Sequence, residues 1–186
     1  QPLWFGGTVL RRFVPRKGFD VLLHAVADLH DRGVEIELVV AGEPGPESAA
    51  FDALVGELGL TDLVSVLGPL SQHDLLALYR RSSVFALACR VDADGDRDGI
   101  PNVLVEAMAS GLPVVSTDVS GIPELVSSGE NGLLVAPDDP QALANALSRV
   151  AKDPVLAASL AKAGQRTVAK YFDGERLAAE LAERFR

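Results

Sequence analysis

The stretch VFALACRVDADGDRDGIPNVLVEAMASGLPVVST, which occupies residues 84–117, decides the fold. At one end, residues 84–88 form a short apolar run of the kind found in strands that are buried on both faces, and at the other end residues 113–117 are predicted to form a second short strand. Between them, residues 101–110 carry apolar side chains at helical spacing. Pro101 stands at the first helical position, where a missing N–H costs little. A strand, a helix and a second strand in this order predict two parallel strands joined by a right-handed crossover.

The rest of the chain repeats this alternation of strands and helices. The other predicted strands occupy residues 3–10, 36–41, 64–67 and 132–135, which makes about six in total. Residues 140–186 are predicted to be helical in three pieces, with breaks near residues 153–154 and 172–174. We therefore predict an α/β fold. It is a Rossmann-like, doubly wound parallel sheet with helices on both faces and the C-terminal helices packed alongside.

Ligands of such sheets bind outside the carboxyl ends of the strands. The loops expected to form a binding site are residues 11–18, 42–46, 68–71, 89–101 and 118–124. The sequence contains no G-x-x-x-x-G-K-S/T phosphate loop, no G-x-G-x-x-G after the first strand and no G-x-S-x-G elbow. The three histidines, His24, His30 and His73, have no metal-ligand spacing, so we interpret them as surface residues.

Composition limits the classes of function. With 186 residues, 48% of them hydrophobic, the chain fits one globular domain, residues 1–186. A net charge of −9 argues against nucleic acid or an anionic membrane surface as the main partner, because binding to either depends largely on Lys and Arg. A small anionic ligand needs only a few local cations.

The one cysteine, Cys89, cannot form an internal disulfide, which fits a reducing compartment. No apolar run reaches the ~18 residues of a membrane helix.

The acidic loop at residues 92–98 allows a calcium interpretation. Residues 94–99 match the D-x-D-x-D-G opening of a calcium loop. In that register the required bidentate carboxylate falls on Val105, and Glu106 comes one residue late. The surrounding strands and helices also do not form a helix-loop-helix unit. The sequence therefore disfavours calcium, and a solvated acidic loop remains the simpler interpretation of Asp92 and Asp94.

Asp98 and Glu106 fit a different ligand. Gly99 lets a ligand approach the backbone closely. The helix that follows directs its free N–H groups and the positive end of its dipole toward the loop, which favours a diphosphate. Glu106 lies about 7–8 Å further along that helix, at ~1.5 Å per residue. Two carboxylates at this separation can accept hydrogen bonds from the hydroxyls of a sugar and of a ribose. The alternative for Glu106 is an ordinary exposed helix residue.

Residues 98–109, DGIPNVLVEAMA, strongly resemble the E-x(7)-E region of retaining glycosyltransferases with the GT-B fold, in the glycosyl transferases group 1 family. The likeness continues, in order and with matching spacing, through SGLPVVST (110–117), SGIPE (120–124) and NGLLV (131–135). Near the start, RFVPRKG (12–18) resembles the family's G-R-L-x-P-x-K-G segment. The resemblance covers nearly the whole chain, but only the C-terminal, donor-binding domain of these two-domain enzymes. The N-terminal acceptor-binding domain is absent from the match.

The resemblance implies roles for individual residues. Arg12 and Lys17 would hold the donor diphosphate and offset its charge as the leaving group departs. Asp98 would contact the donor sugar, and Glu106 the ribose of the nucleotide. We therefore predict Asp98, Arg12 and Lys17 as the catalytic residues. In the Asp98 position the family usually has Glu, so the carboxylate reaches one methylene less far, and Arg11 stands where the family usually has Gly.

The predicted donor-binding set is larger than the catalytic set. It comprises Arg12, Lys17, Leu70, Asp98, Gly99, Ile100, Pro101, Asn102, Val103 and Glu106. Within it, the backbone from Gly99 to Val103 would line the sugar and phosphate, and Leu70 belongs to a loop that resembles the one that meets the base. No metal is expected.

The resemblance also implies the reaction. A sugar would pass from a UDP-, GDP- or ADP-sugar to an acceptor with retention of the anomeric configuration, without a cofactor. The missing N-terminal domain would bind the acceptor, so we expect the isolated domain to be inactive or weakly active. We expect a cytoplasmic enzyme whose full-length form can lie peripherally at the membrane.

Two other functions stay open: a non-catalytic nucleotide-binding module, and the domain of a sugar-nucleotide epimerase of related fold. The Asp98–Glu106 spacing together with Arg12 and Lys17 favours the transferase.

Overall fold

A computed structural model describes the backbone of residues 3–6, 9–91 and 99–172 and, from residue 13 onward, their side chains. The described residues form one sheet of seven strands. The strands are β1 (Leu3–Gly6), β2 (Val9–Arg12), β3 (Ile36–Glu43), β4 (Val64–Leu67), β5 (Val84–Leu87), β6 (Val114–Thr117) and β7 (Leu133–Val135). All of the pairings between these strands are parallel, which confirms the predicted α/β class.

Helices connect the strands. They are α1 (Phe19–Asp31), α2 (Ser48–Glu57), α3 (Gln72–Arg81), α4 (Asn102–Ala109), α5 (Ile122–Leu125), α6 (Pro140–Lys152) and α7 (Pro154–Tyr171). A short 3-10 turn, Pro15–Lys17, precedes α1. The helices α6 and α7 are the first two of the three predicted C-terminal pieces, and the third lies outside the described residues.

The prediction that Pro101 occupies the first helical position was wrong by one residue, because its extended backbone (ψ 122°) makes it the N-cap of α4.

The amino-terminal strand is divided, where the sequence predicted one strand over residues 3–10. Both segments pair with the same edge of β3, β1 with its first half and β2 with its second half. Ala41 of β3 pairs with β2 on one side and with β4 on the other, so β2 and β4 lie on opposite edges of β3. The pairing register of β2 shifts between Val9 and Arg12. Glycines at positions 6 and 7, which weaken strands, stand where the sequence pattern is interrupted.

The order across the sheet is β4, β3, β1 with β2, β5, β6 and β7. From β1 the chain first moves outward through β3 to β4, and then returns to β5 and moves outward on the other side. This reversal between β1 and β5 is the topological switch point of a doubly wound fold, where ligands bind beyond the carboxyl ends of the strands. The topology therefore points to one edge of the sheet as the place for a site.

The core lies between the sheet and two helical layers. Every residue of β5 and β6 is buried. The helix α1 packs against α2 and α6, and α4 packs against α7. Cover on both faces explains why β5 is a continuous apolar run, and why the hydroxyls of Ser116 and Thr117 in β6 donate to backbone carbonyls. Within the described ranges, no helix combines the length and the apolar character required to cross a membrane.

Candidate functional site

A cleft of about 940 Å³ opens at the carboxyl edge of the sheet, beside the switch point. Four of the five predicted ligand loops contribute to it, together with one face of α3 and the first turns of α4. The lining residues are Val14, Arg16, Lys17, Ala41, Gly42, Glu43, Pro69, Leu70, Gln72, Leu75, Leu76, Tyr79, Gly99, Ile100, Pro101, Asn102, Val103 and Glu106. The fifth loop, residues 118–124, supports the wall from behind. A Cβ on Gly121 would lie only 2.9 Å from the carbonyl carbon of Gly99.

Arg16 and Lys17 bring positive charge into this cleft from the 3-10 turn. Buried aromatic rings flank the turn in sequence and fix it to the core. Phe13 stacks on Phe19 with ring centroids 4.6 Å apart, and both rings meet Phe51 edge-on. The turn ends at Gly18, whose left-handed backbone (φ +62°) lies against the carbonyl of Ala88. Two cations are thereby concentrated at one place in a chain of net charge −9.

The start of α4 forms the opposite wall. The side chain of Pro101 offers no cap, so the first N–H groups of α4, at Asn102 and Val103, have no partner within the helix. These groups and the positive end of the helix dipole suit an anion. The cations of the 3-10 turn line the same cleft. The described part of the site therefore has several independent groups that favour a dianion.

Glu106 is one turn further along α4, and its carboxylate has a fixed partner. The hydroxyl of Tyr79, on α3, donates a hydrogen bond of 3.3 Å to Oε2 of Glu106. Tyr79 itself is buried and packs edge-on against Phe85, with ring centroids 6.1 Å apart. Burial of the phenol and the neighbouring charge of Glu106 raise the pKa of Tyr79 well above its ordinary value of 10.0, so the hydroxyl stays a donor.

A sequence comparison identifies the family. The profile of the glycosyl transferases group 1 family matches residues 8–167, which is most of the chain and all of the described cleft. The chain belongs to the glycosyl transferases group 1 family. This membership confirms the resemblance that residues 98–109 indicated.

Curated glycosyltransferases are similar to this chain over nearly its whole length. The putative colanic acid biosynthesis glycosyltransferase WcaL of Salmonella typhimurium is 36% identical over 172 residues, which are 92% of this chain and 42% of that protein. The GDP-mannose-dependent alpha-(1-6)-phosphatidylinositol monomannoside mannosyltransferase of Mycolicibacterium smegmatis is 33% identical over 175 residues, 94% of this chain and 46% of that protein. The chain thus spans less than half the length of these relatives.

The fold also matches solved structures. Alr3699/HepE of Anabaena, crystallised in complex with UDP, superposes with a TM-score of 0.85 at 25% sequence identity. The match covers 99% of this chain and 48% of that one. The α/β architecture predicted from the sequence is therefore shared with this UDP-bound structure over 99% of the chain.

The structure brings most of the predicted donor-binding residues into one cleft. They are Lys17, Leu70, Gly99, Ile100, Pro101, Asn102, Val103 and Glu106. Arg12 is the last residue of β2, and its side chain lies outside the described residues. Asp98, Asp92, Asp94 and the rest of the acidic loop also lie outside them. The roles of all the predicted site residues stay predictions, and for Arg12 and Asp98 the side-chain position is also outside the described part of the chain. Among the described residues no group of three or more His, Cys, Asp or Glu side chains could hold a metal ion.

Arg16 and Tyr79 line this site but are absent from the predicted donor-binding set. Arg16 stands beside Lys17 in the quoted RFVPRKG segment, and its adjacency to the predicted cation was a usable signal. Tyr79 gave no such signal, because an aromatic residue on the apolar face of a helix is most simply a core residue. Its contact with Glu106 spans 27 residues of sequence and appears only in the folded chain.

The raised pKa of Tyr79 predicts a change of stability at alkaline pH. The unfolded chain releases the phenol proton near pH 10, whereas the folded chain retains it to higher pH. The contribution of Tyr79 is thus fully present below about pH 10 and declines above it, by at most about 1.4 kcal/mol per pH unit. We expect the difference in unfolding free energy between the wild type and Tyr79→Phe, measured by urea denaturation, to fall between pH 9.5 and 11. A difference that is constant over this range would contradict the interpretation.

Proposed function

We propose that this chain is the donor-binding part of a glycosyltransferase, which transfers a sugar from a nucleotide-diphosphate sugar to an acceptor. The observation that carries the proposal is the cleft itself, where a cationic turn, a helix N-terminus and a positioned carboxylate face one space of about 940 Å³. That volume accommodates a ligand of nucleotide-sugar size, since small-molecule sites typically measure ~300–1,000 Å³.

The diphosphate would lie between the 3-10 turn and α4. Lys17 and Arg16 supply charge from one side, and the free N–H groups of Asn102 and Val103 supply hydrogen-bond donors from the other. Arg12, in the preceding strand, is a third candidate cation. The arrangement suits a dianion better than a neutral ligand, because cationic side chains and the N–H groups at a helix N-terminus both attract negative charge.

The nucleoside would extend from the diphosphate toward α3. Glu106 accepts hydrogen bonds from the ribose hydroxyls, and Tyr79 keeps the carboxylate in the orientation that this requires. Pro69, Leu70 and Leu75 offer apolar surface on which a base can lie. The sugar would extend the other way, toward Gly99 and Asp98.

The transfer retains the anomeric configuration in this proposal. The bond between the anomeric carbon and the diphosphate oxygen breaks, and a bond from the anomeric carbon to the acceptor oxygen forms on the same face. The proton of the acceptor hydroxyl ends on the departing diphosphate, so no protein base or metal is required. The protein positions the two substrates and offsets the charge that develops on the leaving group, which is the task of Lys17 and its neighbours.

The acceptor would be bound outside this chain. The chain spans 42% and 46% of its two relatives, which leaves room in such proteins for a second domain across the cleft. One relative is named as GDP-mannose-dependent, and one similar structure holds UDP. We therefore propose a UDP-, GDP- or ADP-sugar as donor, with weak or no transfer by the 186 residues alone.

Thermal denaturation with UDP-, GDP- and ADP-sugars tests donor binding directly. A ligand at 100 times its dissociation constant is expected to stabilise the chain by about 2.7 kcal/mol. Stabilisation by none of the three, at millimolar concentration, would contradict the proposal. A two-domain protein that binds donor but transfers no sugar would instead support a non-catalytic module, and interconversion of the donor sugar would support an epimerase.

Two substitutions test the assignment of the carboxylates. Glu106→Ala is expected to weaken nucleoside diphosphate and nucleotide-sugar alike, by roughly 10–100-fold, because both lose a charge-assisted hydrogen bond to ribose. Asp98→Ala is expected to weaken mainly the nucleotide-sugar. Calorimetric titration measures both affinities, and Glu57→Ala, at the end of α2 and outside the cleft, is the matched control. If Asp98→Ala loses equal affinity for both ligands, the assignment of Asp98 to the donor sugar is wrong.

A further inference from the structure

We propose that Arg90 is a positioning residue that holds the diphosphate-binding turn in its active geometry. This inference rests on the proposed function of the turn, Pro15–Lys17. Arg90 follows β5 by three residues and is not part of the cleft lining. It therefore acts on the ligand only through the residues that it holds.

Arg90 joins three separate segments at the carboxyl edge of the sheet. Its Nε donates to the carbonyl of Pro15 at 3.1 Å, and one terminal nitrogen donates to Oδ1 of Asp138 at 2.9 Å. The other terminal nitrogen donates to Oδ1 of Asp20. The Arg90 backbone N–H adds a fourth bond, 2.9 Å to the carbonyl of Arg16. One residue thus anchors the 3-10 turn, the first turn of α1 and the loop between β7 and α6.

Three features indicate that these contacts depend on an arginine at this position. Asp138, which receives one arm of the guanidinium, has a left-handed backbone (φ +56°), a conformation that costs free energy for a residue with a side chain. The arms diverge to three acceptors, which the planar fork of arginine can reach and the single ammonium of lysine cannot. The Arg90 side chain is only 24% exposed, so its ion pairs are partly shielded from water.

The position of the contacts explains why the ligand should sense them. Arg90 bonds to the carbonyls of both Pro15 and Arg16, which are two of the three residues of the turn. Lys17 is the third. The electrostatic stabilisation that the cations of the turn give to a diphosphate depends on their distance from it. A displacement of about 1 Å in such a site can cost up to about 10²-fold in rate. Arg90 also neutralises Asp20 and Asp138, two carboxylates on the same edge of the sheet that would otherwise disfavour an approaching dianion.

The test compares affinities for a nucleoside diphosphate and for its nucleoside, so that a loss confined to the phosphates can be recognised. The diphosphate is whichever of UDP, GDP and ADP binds the wild-type chain most tightly, and calorimetric titration gives each affinity. Arg90→Gln and Arg90→Lys are expected to lower the affinity for the diphosphate about tenfold and to leave that for the nucleoside within about twofold. Asp138→Asn, which leaves the pair with Asp20, is expected to give a smaller loss in the same direction.

Arg32→Gln is the matched control. Arg32 also pairs with an aspartate, Asp28, and also donates to a distant side chain, Asn145, but it lies at the opposite end of α1. It should leave both affinities unchanged. Equal affinity of the wild type and all Arg90 and Asp138 variants for the diphosphate would overturn the role of Arg90. Equal losses for diphosphate and nucleoside would also overturn it, since they indicate general loss of structure. Failure of the wild type itself to bind any of the three diphosphates would overturn the proposed function instead.

Discussion

Gly18→Ala is expected to destabilise the fold by about 2–5 kcal/mol, a large part of the ~5–15 kcal/mol that holds a typical domain folded. Two effects add at this position. The left-handed backbone (φ +62°) costs roughly 1–2 kcal/mol for any residue with a Cβ. In addition, the new Cβ would lie 2.0 Å from the carbonyl oxygen of Ala88. That oxygen belongs to the backbone just after β5 and cannot move aside without displacing the centre of the sheet.

Gly33→Ala separates these two effects. Gly33 has a similar backbone (φ +73°), but a Cβ there would meet no atom within 4 Å. Its substitution should therefore cost only the conformational part, about 1–2 kcal/mol. Urea denaturation monitored by circular dichroism measures both variants under the same conditions. If Gly18→Ala proves no less stable than Gly33→Ala, the close approach to Ala88 is not a constraint on the fold.

The close approach also has a functional meaning within the proposed site. Gly18 ends the turn that carries Arg16 and Lys17, and its contact with Ala88 sets the height of that turn above the sheet. Arg90 follows Ala88 by two residues and bonds to the same turn. The segment after β5 therefore holds the cationic turn through two contacts, that of Ala88 with Gly18 and that of Arg90 with the turn itself.

Lys17→Ala is expected to lower the rate of sugar transfer by about 10²–10³-fold in the two-domain protein proposed above. The physical reason is the charge that develops on the leaving diphosphate as the bond to the anomeric carbon breaks. A cation that faces this charge in a cleft stabilises the transition state more than the bound donor. We expect the loss to appear mainly in kcat, with a smaller rise in KM for the donor, in a steady-state assay of acceptor glycosylation.

Lys162→Ala provides the control for lost charge alone. Lys162 is exposed on α7 and is not part of the cleft lining, so its substitution should leave the rate unchanged. Lys17→Met tests the same point with a side chain of similar length and no charge, and should show the same loss as Lys17→Ala. A variant of Lys17 that retains wild-type kcat would remove this residue from the chemistry, although it could leave donor binding by the cleft intact.

Local sequence determined the elements and the edge of the sheet that holds the site. Residues 84–88 predicted a buried strand because their hydrophobic content is continuous, residues 113–117 predicted a second strand, and the structure places buried parallel strands at both. Glu106 is predicted from its distance along the helix that starts near Pro101, and Lys17 from the resemblance of residues 12–18 to the family's segment. The family followed from the same segments, because their residues recur in order at matching spacing.

The sequence was least informative where a contact joins distant parts of the chain. The hydrogen bond from Tyr79 to Glu106 spans 27 residues, and the contacts from Arg90 to Asp20 and Asp138 span 70 and 48 residues. No periodicity records such pairs, because each partner alone looks like a core tyrosine or a surface charge. The division of the first strand into β1 and β2 was likewise missed, since it depends on how both segments align along β3.

The sequence by itself thus determined that strands and helices alternate and that cationic and acidic groups end up at one edge of a parallel sheet, because those properties follow from local pattern. Only the tertiary structure decided which groups face one another across the cleft. It also decided that Gly18 has no room for a side chain, and that Arg90 holds the turn. Close approach and hydrogen bonding act over a few ångströms in space, and the folded chain alone brings residues from its separate segments within that range.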